Sequence, residues 1–180
     1  QIGNDIDGEA ASDYSGCSVS LSSDGSIVAI GANLNDGNGS AAGHVRIYEN
    51  IGGSWSQIGT DIDGEAANTQ CGNSVSLCAD GNTVAIGAWA NDGNGQDAGH
   101  VRIYQNIGGS WSQIGQDIDG EASNDHSGWD VSLSSDGNTV AIGAFGNTSF
   151  AGHVRIYNWN GTSWNQIGND IDGEAASDYS

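Results

Sequence analysis

The sequence contains no lysine, and three arginines face 23 acidic residues, so the formal net charge is −20. A surface this acidic repels nucleic acid and anionic membranes, both of which bind proteins through clustered basic side chains. No apolar run approaches the roughly 18 residues that a membrane span needs. The composition therefore predicts no nucleic-acid partner and no membrane insertion, and it favours cations or cationic partners.

Proline and methionine are also absent, whereas glycine occurs 30 times. Glycine on this scale, without the three-residue period of collagen, indicates many tight turns. Trp, Tyr, Val and Ile are spread along the whole sequence. We therefore expect a folded, turn-rich chain with a buried core.

Cysteine is scarce, with three residues at unrelated repeat positions. Cys71 and Cys78 fall on one predicted extended segment, about 20 Å apart, which is too far for a disulfide. Cys17 and Cys71 begin equivalent strands of neighbouring repeats, so a disulfide between them and free buried thiols both stay open. Three sequons in predicted loops favour secretion, and the candidate glycosylation sites are Asn38, Asn147 and Asn160.

The dominant feature is an internal repeat, marked by QIG at residues 1, 57, 113 and 166. Between these marks run DIDGEA, VSL, DG, VAIGA, GHVRIY and SW, and the third copy is shorter because it lacks NDGNG. A fixed period of this size is typical of solenoids, propellers and arrays. We assign 1–15 to the end of a preceding blade and its connecting loop, 16–59, 60–115 and 116–168 to three blades, and 169–180 to the start of a next repeat.

Each repeat predicts four short strands, which in the first copy are 17–22, 27–32, 44–49 and 54–58. Asp24 and Gly25 form the tight turn between the first two. Alternation puts Val19 and Leu21 on one face and small side chains on the other, so both faces are expected to be covered by neighbouring sheets. The predicted fold is all-β, with tandem four-stranded antiparallel blades like those of a β-propeller. Closure into a ring and an open superhelical stack both remain possible.

The segments around Gly16, Val28 to Ala32 and Gly43 to Tyr48 resemble the FG-GAP repeat, whose units form the blades of integrin α-chain propellers. The resemblance implies four-stranded blades, an extracellular or cell-surface location, and a role in adhesion or scaffolding. The calcium loop of such blades precedes the strand that ends in GA. Only the short Asp24–Gly25 turn stands there, so the resemblance does not carry calcium over.

The most regular acidic pattern is DIDGEA, whose carboxylates are the oxygen ligands that Ca²⁺ prefers. The alternative is that these acids cap turns and pair with the single arginine of each repeat, Arg46, Arg102 or Arg155. The oxygen-rich NDGNG loop offers a weaker cation site or a plain exposed loop. The candidate metal ligands are Asp5, Asp7, Glu9, Asp61, Asp63, Glu65, Asp117, Asp119 and Glu121.

Aromatic residues fall into two groups. Trp55, Trp111 and Trp164 recur in every repeat and are expected to pack the outer strand, with the indole N–H bonded to the backbone. A second group varies between copies and would mark a contact patch for sugar or protein if exposed: Trp89, Trp129, Trp159, Phe145 and Phe150.

Catalysis is not expected. The segment 134–139 faintly resembles the Asp-box hairpin of sialidases, but a glycosidase needs two carboxylates in unlike environments. The acids here recur in equivalent positions, and no Ser/His/Asp or Cys/His set stands out. We predict no catalytic residue, and a sialidase-like glycosidase is kept only as a remote alternative.

Residues 166–180 are identical to residues 1–15, so we expect the chain to be part of a longer periodic array. The predicted function is an extracellular structural or adhesive repeat protein. Its blades stack on further repeats, or head to tail on copies of itself, into a surface filament or scaffold. The alternative is a discrete propeller adhesin that binds protein or glycan, with or without Ca²⁺.

Overall fold

The computed structural model describes residues 1–176, which form three successive antiparallel sheets and one helical turn. We call the sheets blades 1, 2 and 3. The strands of blade 1 are β1 Ser18–Leu21, β2 Ile27–Ala32, β3 His44–Ile51, β4 Ser54–Gln57 and β5 Ile62–Asp63. Those of blade 2 are β6 Ser74–Leu77, β7 Thr83–Ala88, β8 His100–Ile107, β9 Ser110–Gln113 and β10 Ile118–Asp119. Blade 3 contains β11 Ser127–Leu133, β12 Thr139–Ala144, the helical turn α1 Asn147–Phe150, β13 His153–Trp159, β14 Trp164–Gln166 and β15 Ile171–Asp172.

Each blade is an antiparallel meander whose fourth strand is split into two pieces. In blade 1, β4 pairs with the second half of β3, whereas β5 pairs with its first two residues. The four-stranded blades expected from the sequence are therefore confirmed. Because the split piece is included, the sheets span residues 18–63, 74–119 and 127–172, and each runs past the boundary expected at 59, 115 or 168.

The first hairpin of each blade closes on an Asp–Gly turn. Gly25 has φ of +72°, a left-handed conformation that glycine adopts without steric cost. Hydrogen bonds tie the hairpin turns of successive blades together, from Ser23 N–H to the Ala79 carbonyl and from Ala79 N–H to the Ser135 carbonyl. The turn thus fixes its own hairpin and also the position of the next blade.

The blades stack through two unlike faces, as the alternation of side chains predicts. The leading face of blade 2 carries bulky residues that are at most 7% exposed, namely Val75, Leu77, Val84 and Ile86. It packs on the trailing face of blade 1, where Ala29 is fully buried. A Cβ atom at Gly31 would clash with the Gly72 carbonyl oxygen of blade 2, and the same holds for Gly87 and Gly128 between blades 2 and 3. Only glycine lets the backbones approach this closely.

Serine side chains of the trailing faces add hydrogen bonds to this packing. Ser20 Oγ accepts a bond of 2.9 Å from the backbone N–H of Leu77 in the next blade. Ser76 Oγ accepts the equivalent bond, also 2.9 Å, from Leu133. These N–H groups point away from the neighbouring strand of their own sheet, and the serines satisfy them in the partly buried interface.

The two end faces of the stack are complementary halves of the same interface. Val19 and Leu21 on the leading face of blade 1 are 63% and 59% exposed. On the trailing face of blade 3, Ser132 is exposed, and a Cβ at Gly143 would contact only atoms of Asp130 in its own blade. Between successive blades, both faces are covered as expected.

Candidate functional site

The connecting segments, residues 1–15, 57–71, 113–127 and 166–180, each begin at QIG and contain DIDGEA. In the second segment, Asp61 accepts a bidentate pair of bonds from Arg46 of blade 1, at 3.1 Å from Nε and 3.0 Å from Nη2. Glu65 of the same segment pairs with Arg102 of blade 2. One segment therefore joins the arginines of two successive blades.

The arrangement recurs along the stack with one variation. Arg102 also holds Asp117 of the following segment, with two bonds of 3.1 Å. In blade 3 the guanidinium of Arg155 instead donates to the Asp119 carbonyl at 2.7 Å and lies 3.6 Å from Glu121. The predicted pairing between acids and arginines is thus present in all three blades, most fully in the first two.

The glutamine of QIG forms a hydrogen bond with the first acid of the DIDGEA that follows it. Gln57 Nε2 donates to Asp61 Oδ1 at 2.6 Å, and the equivalent bond forms in the other three segments. Burial alone would raise the pKa of Asp61, but the bonds from Arg46 and Gln57 outweigh it and lower that pKa. The acid is therefore held as a carboxylate, which an ion pair with arginine requires.

A buried histidine stands beside each arginine. The Nδ1 atom of His44 lies 3.9 Å from Glu9 and 3.8 Å from Asp61. The three histidines, each at most 4% exposed, and their acids bring one nitrogen and two carboxylate oxygens within 4.8 Å of one another: Glu9, His44 and Asp61; Glu65, His100 and Asp117; Glu121, His153 and Asp170. This is a ligand set for a divalent metal. In the first set, however, Arg46 already bonds both carboxylates, so a metal would have to displace it.

Calcium binding stays a prediction, and the structure groups the candidate ligands differently from the sequence expectation. The metal-ligand sets of the described residues draw their acids from two successive segments, rather than from one DIDGEA. Within an internal segment, the first acid of DIDGEA (Asp61 or Asp117) bonds the arginine of the preceding blade. The third acid (Glu65 or Glu121) lies beside the arginine of the following blade. The middle acids, Asp7, Asp63 and Asp119, are exposed. Asp5, at the start of the chain, accepts a bond from Gln1.

The calcium loop that the family resemblance implies does not fit the hairpin turns. Asp24 Oδ1 accepts bonds from Ser26 N, Ser26 Oγ and Ser22 Oγ at 2.7 to 2.9 Å. The Ser26 backbone bond, with the two hydroxyl bonds, lowers the pKa of Asp24 to about 2. This carboxylate is committed to its own turn, and the turn is too short to wrap an ion.

The NDGNG loop of blade 1 forms hydrogen bonds with the connecting segments before and after that blade. Asn35 is 5% exposed and donates to Asp13 at 2.8 Å, and its Oδ1 accepts the Gly37 N–H. Asn38 donates to the Gly64 carbonyl at 2.8 Å. The Oδ1 atoms of Asn35 and Asp36 therefore accept hydrogen bonds within the loop, and the loop differs from the plain exposed one that the alternative expected.

The three glycosylation candidates differ in their surroundings. Asn38 Nδ2 bonds the backbone of the connecting segment, and Asn147 Nδ2 donates to Asp125 at 3.1 Å. Asn160 is exposed in the turn between β13 and β14, and its Oδ1 accepts the N–H of Thr162. The Nδ2 atom of Asn160 donates to Ser163 Oγ at 3.2 Å. Asn38 and Asn160 are both exposed, and modification stays a prediction.

The possible disulfide between Cys17 and Cys71 is not formed, because all three cysteines are free thiols. The Sγ atom of Cys17 instead faces the carbonyl oxygens of Gly31 and Gly72, at 3.4 and 3.5 Å. Cys71 is buried, and burial raises its pKa to about 12. Cys17 is exposed, whereas Cys71 and Cys78 are buried.

The tryptophans that recur in every repeat form hydrogen bonds with the connecting segments. Trp55, Trp111 and Trp164 each donate their indole N–H, at 3.0 to 3.1 Å, to the carbonyl of the isoleucine in a preceding QIG. This confirms the expected backbone partner. It also ties the outer strand of each blade to the segment that enters that blade.

The variable aromatics gather beside blade 3. Trp89 packs edge-on against Trp129 with ring centres 5.4 Å apart, and Trp129 packs against Phe145 at 4.7 Å. Trp129 and Phe150 are 45% and 38% exposed. A cavity of about 460 Å³ opens next to Trp129, Asp130 and Phe145. The sequence indicated that these residues vary, and only the structure shows that four of them form one cluster. The fifth, Trp159, packs against Trp164 with ring centres 5.4 Å apart.

Sequence reasoning missed two sets of functional contacts. It treated the serines of VSLS only as small side chains, although a hydroxyl at every second position was the available signal. It also missed Asp13, which is 6% exposed and is bonded by Asn35. No local pattern predicts that contact, because the partners lie 22 residues apart.

A family model described as the FG-GAP repeat matches residues 6–48. The match begins in the first connecting segment and ends in β3, so it unites a segment with the blade that follows it. No curated protein matches the chain. In residues 1–176, the single helical turn is far too short to cross a bilayer.

Proposed function

We propose, from the premise that this chain carries an FG-GAP repeat, that it is a structural module of an extracellular surface protein. FG-GAP repeats typically occur in extracellular or surface proteins, in families that serve adhesion. In this proposal the blades form a continuous stack that acts as a filament or scaffold. The protein works by assembly and contact and carries out no catalysis.

The observation that supports the proposal is one interface used twice. Blades 1 and 2, and blades 2 and 3, meet through the same large-on-small packing, the same bond from a leucine N–H to a serine hydroxyl, and a connecting segment that contacts both blades. Each end of the stack presents one half of that interface. Such a heterologous contact extends without limit unless the geometry closes into a ring.

Equivalent surroundings of the acids also favour a structural role. A glycosidase needs one carboxyl whose pKa is raised beside another that stays ionised. Asp61 and Asp117 both have lowered pKa values, from the same combination of burial opposed by arginine and glutamine bonds. Acids that recur in equivalent surroundings are expected to form the same ion pair in each repeat, rather than the two different roles of a catalytic pair.

Electron microscopy of the native material tests the scaffold. Long regular fibres with a repeat set by the blades are expected, and dispersed compact particles would overturn filament assembly. Protease treatment of intact cells tests the location, since a surface protein should be cleaved without lysis.

Substitution of Gly87 tests the blade interface itself. Gly87→Ala places a methyl group against the Gly128 carbonyl and should lower the free energy of unfolding by about 1–3 kcal/mol or more. Gly143→Ala is the matched control, because its Cβ would meet only ordinary contacts. Equal stability of both variants in urea would show that the stacked interface is not what holds the blades.

A second candidate function, adhesion, is favoured by the exposed ring of Trp129 beside the 460 Å³ cavity. Aromatic rings next to an acidic side chain are suited to stack on sugars or to anchor a protein loop. Trp129→Ala should then abolish binding on a glycan array or to the surface partner. Trp111→Phe, which changes a ring far from the cavity, should leave it intact.

A further inference from the structure

Three Asn-Gly dipeptides occur in the sequence, at residues 38–39, 94–95 and 160–161. Asparagine is chemically labile, and it reacts most readily before glycine, because the missing Cβ lets the glycine nitrogen approach the asparagine side chain. Asn38, Asn94 and Asn160 are all exposed, so water reaches each of them. The dipeptide alone would therefore make the three sites equally reactive, and their hydrogen bonds decide which one reacts.

The dipeptide in the NDGNG loop of blade 1 is held at both of its reacting groups. Asn38 Nδ2 donates to the Gly64 carbonyl at 2.8 Å, and the Gly39 N–H donates to the Asp36 carbonyl at 3.1 Å. Gly39 also lies against Ala67 of the connecting segment, which a Cβ atom would approach to 3.2 Å. The NDGNG loop of blade 2 repeats these contacts. In both loops the attacking nitrogen and the leaving amide nitrogen are therefore occupied.

The third dipeptide lies in the turn between β13 and β14, and it has neither restraint. Within residues 1–176 the Gly161 N–H donates no hydrogen bond, and a Cβ atom at this glycine would meet nothing within 4 Å. Asn160 Nδ2 donates to the Ser163 hydroxyl at 3.2 Å, in the same turn. The glycine nitrogen is therefore free to attack, and the amide is bonded only to a side chain of its own turn.

The open surroundings of this turn are a property of the outer rim of every blade. Glycines 52–53 and 108–109 lie at the equivalent hairpin tips of blades 1 and 2, and a Cβ atom there would also meet nothing within 4 Å. A further blade follows each of those tips, so the neighbouring blade does not cover this rim. Ile51 and Ile107 stand where blade 3 has Asn160, so blade 3 alone of the three carries a reactive pair there.

Three donors converge on the side-chain oxygen of Asn160. The Thr162 N–H, the Thr162 hydroxyl and the Ser163 N–H each donate to Asn160 Oδ1 at 2.9 Å. Donors that are already aimed at one oxygen stabilise the negative charge that develops on it during attack on the carbonyl carbon. That charge appears on Oδ1 when the Gly161 nitrogen adds to Asn160 Cγ. The turn therefore lowers the barrier to this attack.

We propose that Asn160–Gly161 is a self-modification site, at which the asparagine is converted to aspartate and isoaspartate. The Gly161 nitrogen forms a bond to Asn160 Cγ and gives its proton to water. The Cγ–Nδ2 bond then breaks, and the amide nitrogen takes up a proton and leaves as ammonia. Water opens the resulting succinimide ring at either carbonyl, so the net reaction consumes one water and releases one ammonia. The product adds a negative charge at the rim of blade 3 and can no longer accept a glycan.

Peptide mapping of the unglycosylated protein, incubated at neutral pH, compares the three sites in one molecule. Trypsin cuts after Arg46, Arg102 and Arg155, so each Asn-Gly dipeptide falls on its own peptide. Fragmentation mass spectrometry then locates the converted residue and separates isoaspartate from aspartate. Residue 160 should be converted severalfold faster than residues 38 and 94. Equal rates at the three sites, or a faster reaction in either NDGNG loop, would overturn the proposal.

Two further measurements separate the turn from the dipeptide. In concentrated urea the three sites should react at similar rates, because the contacts that distinguish them are lost. An excess at Asn160 that persists in urea would assign the reactivity to local sequence and would overturn the role of the turn. Thr162→Val keeps the shape and the backbone N–H but removes the hydroxyl donor, so conversion of Asn160 in the folded protein should slow severalfold. An unchanged or faster reaction in this variant would show that the converging donors do not promote the attack.

Discussion

Arg46 and Arg102 each sit between two acids that come from different connecting segments. Arg102 bonds Asp117 with its Nε and Nη2 atoms and pairs with Glu65 through Nη2. The planar guanidinium suits this bridging role because its donors are held in a fixed fork. In a chain of net charge −20, two of the three arginines are therefore placed where each one neutralises acids from two connecting segments.

Replacing an arginine should be costly in proportion to its bonds. Arg102→Gln leaves Glu65 and Asp117 without their shared cation and should lower the free energy of unfolding by about 1–3 kcal/mol. Arg155→Gln should have a smaller effect, since Arg155 makes no bidentate bond to a carboxylate. Urea unfolding of the two variants measures the difference, and a larger loss at Arg155 would contradict this account.

Calcium removal tests how the acids are neutralised. Because arginine and glutamine bond the first acid of the internal segments, and the hairpin aspartates bond their own turns, we expect chelator to leave the melting temperature unchanged. Differential scanning calorimetry with excess chelator and with millimolar Ca²⁺ makes the comparison. A clear fall in chelator would show that an ion, rather than arginine, holds these carboxylates.

At the scale of the strand, the serines of β1 and β6 act across blades. Ser76→Ala removes the acceptor of the Leu133 N–H, and an unsatisfied buried N–H costs about 1–3 kcal/mol. Ser132→Ala, at the equivalent exposed position of β11, should change the free energy of unfolding by only a few tenths of a kcal/mol. Equal effects in chemical denaturation would show that the hydroxyls do not bridge the blades.

The sequence was sufficient to predict the strands and their stacking, because both depend on local alternation and on Asp–Gly turns. The predicted second strand, 27–32, matches β2 residue for residue. The site was harder to predict, because its contacts join residues far apart in the chain. DIDGEA looks like one chelating loop until the blades are placed, and then Asp61 and Glu65 turn to different arginines. The free Cys17 is a similar case, since its position follows from how blade 2 sits on blade 1.

For the molecule as a whole, acid should destabilise the stack in two steps. Burial lowers the pKa of His100 from 6.5, so the unfolded chain binds the extra proton first and stability falls as the pH drops below about 6.5. Asp61 and Asp117 have pKa values lowered from 3.8. Their contribution is complete above that value and is lost as the pH falls below it.

Unfolding in urea across a pH series checks both steps. High salt in every sample screens the repulsion among the excess acids, which would otherwise change over the same range. His100→Gln should reduce the upper step, to which His126 also contributes because burial lowers its pKa, and should keep the lower step. Stability that stays flat between pH 7 and 5 would contradict the role of the buried imidazole.

The loop between the second and third strands changes without disturbing the stack. Blades 1 and 2 fill it with NDGNG and blade 3 with α1, yet Ala32, Ala88 and Ala144 pair in the same register with His44, His100 and His153. The strands on either side thus tolerate a different length and a different conformation at this rim. Peptides grafted between Ala144 and His153 should therefore be displayed at regular intervals along any assembled array, which makes this loop the natural position for epitopes or affinity tags.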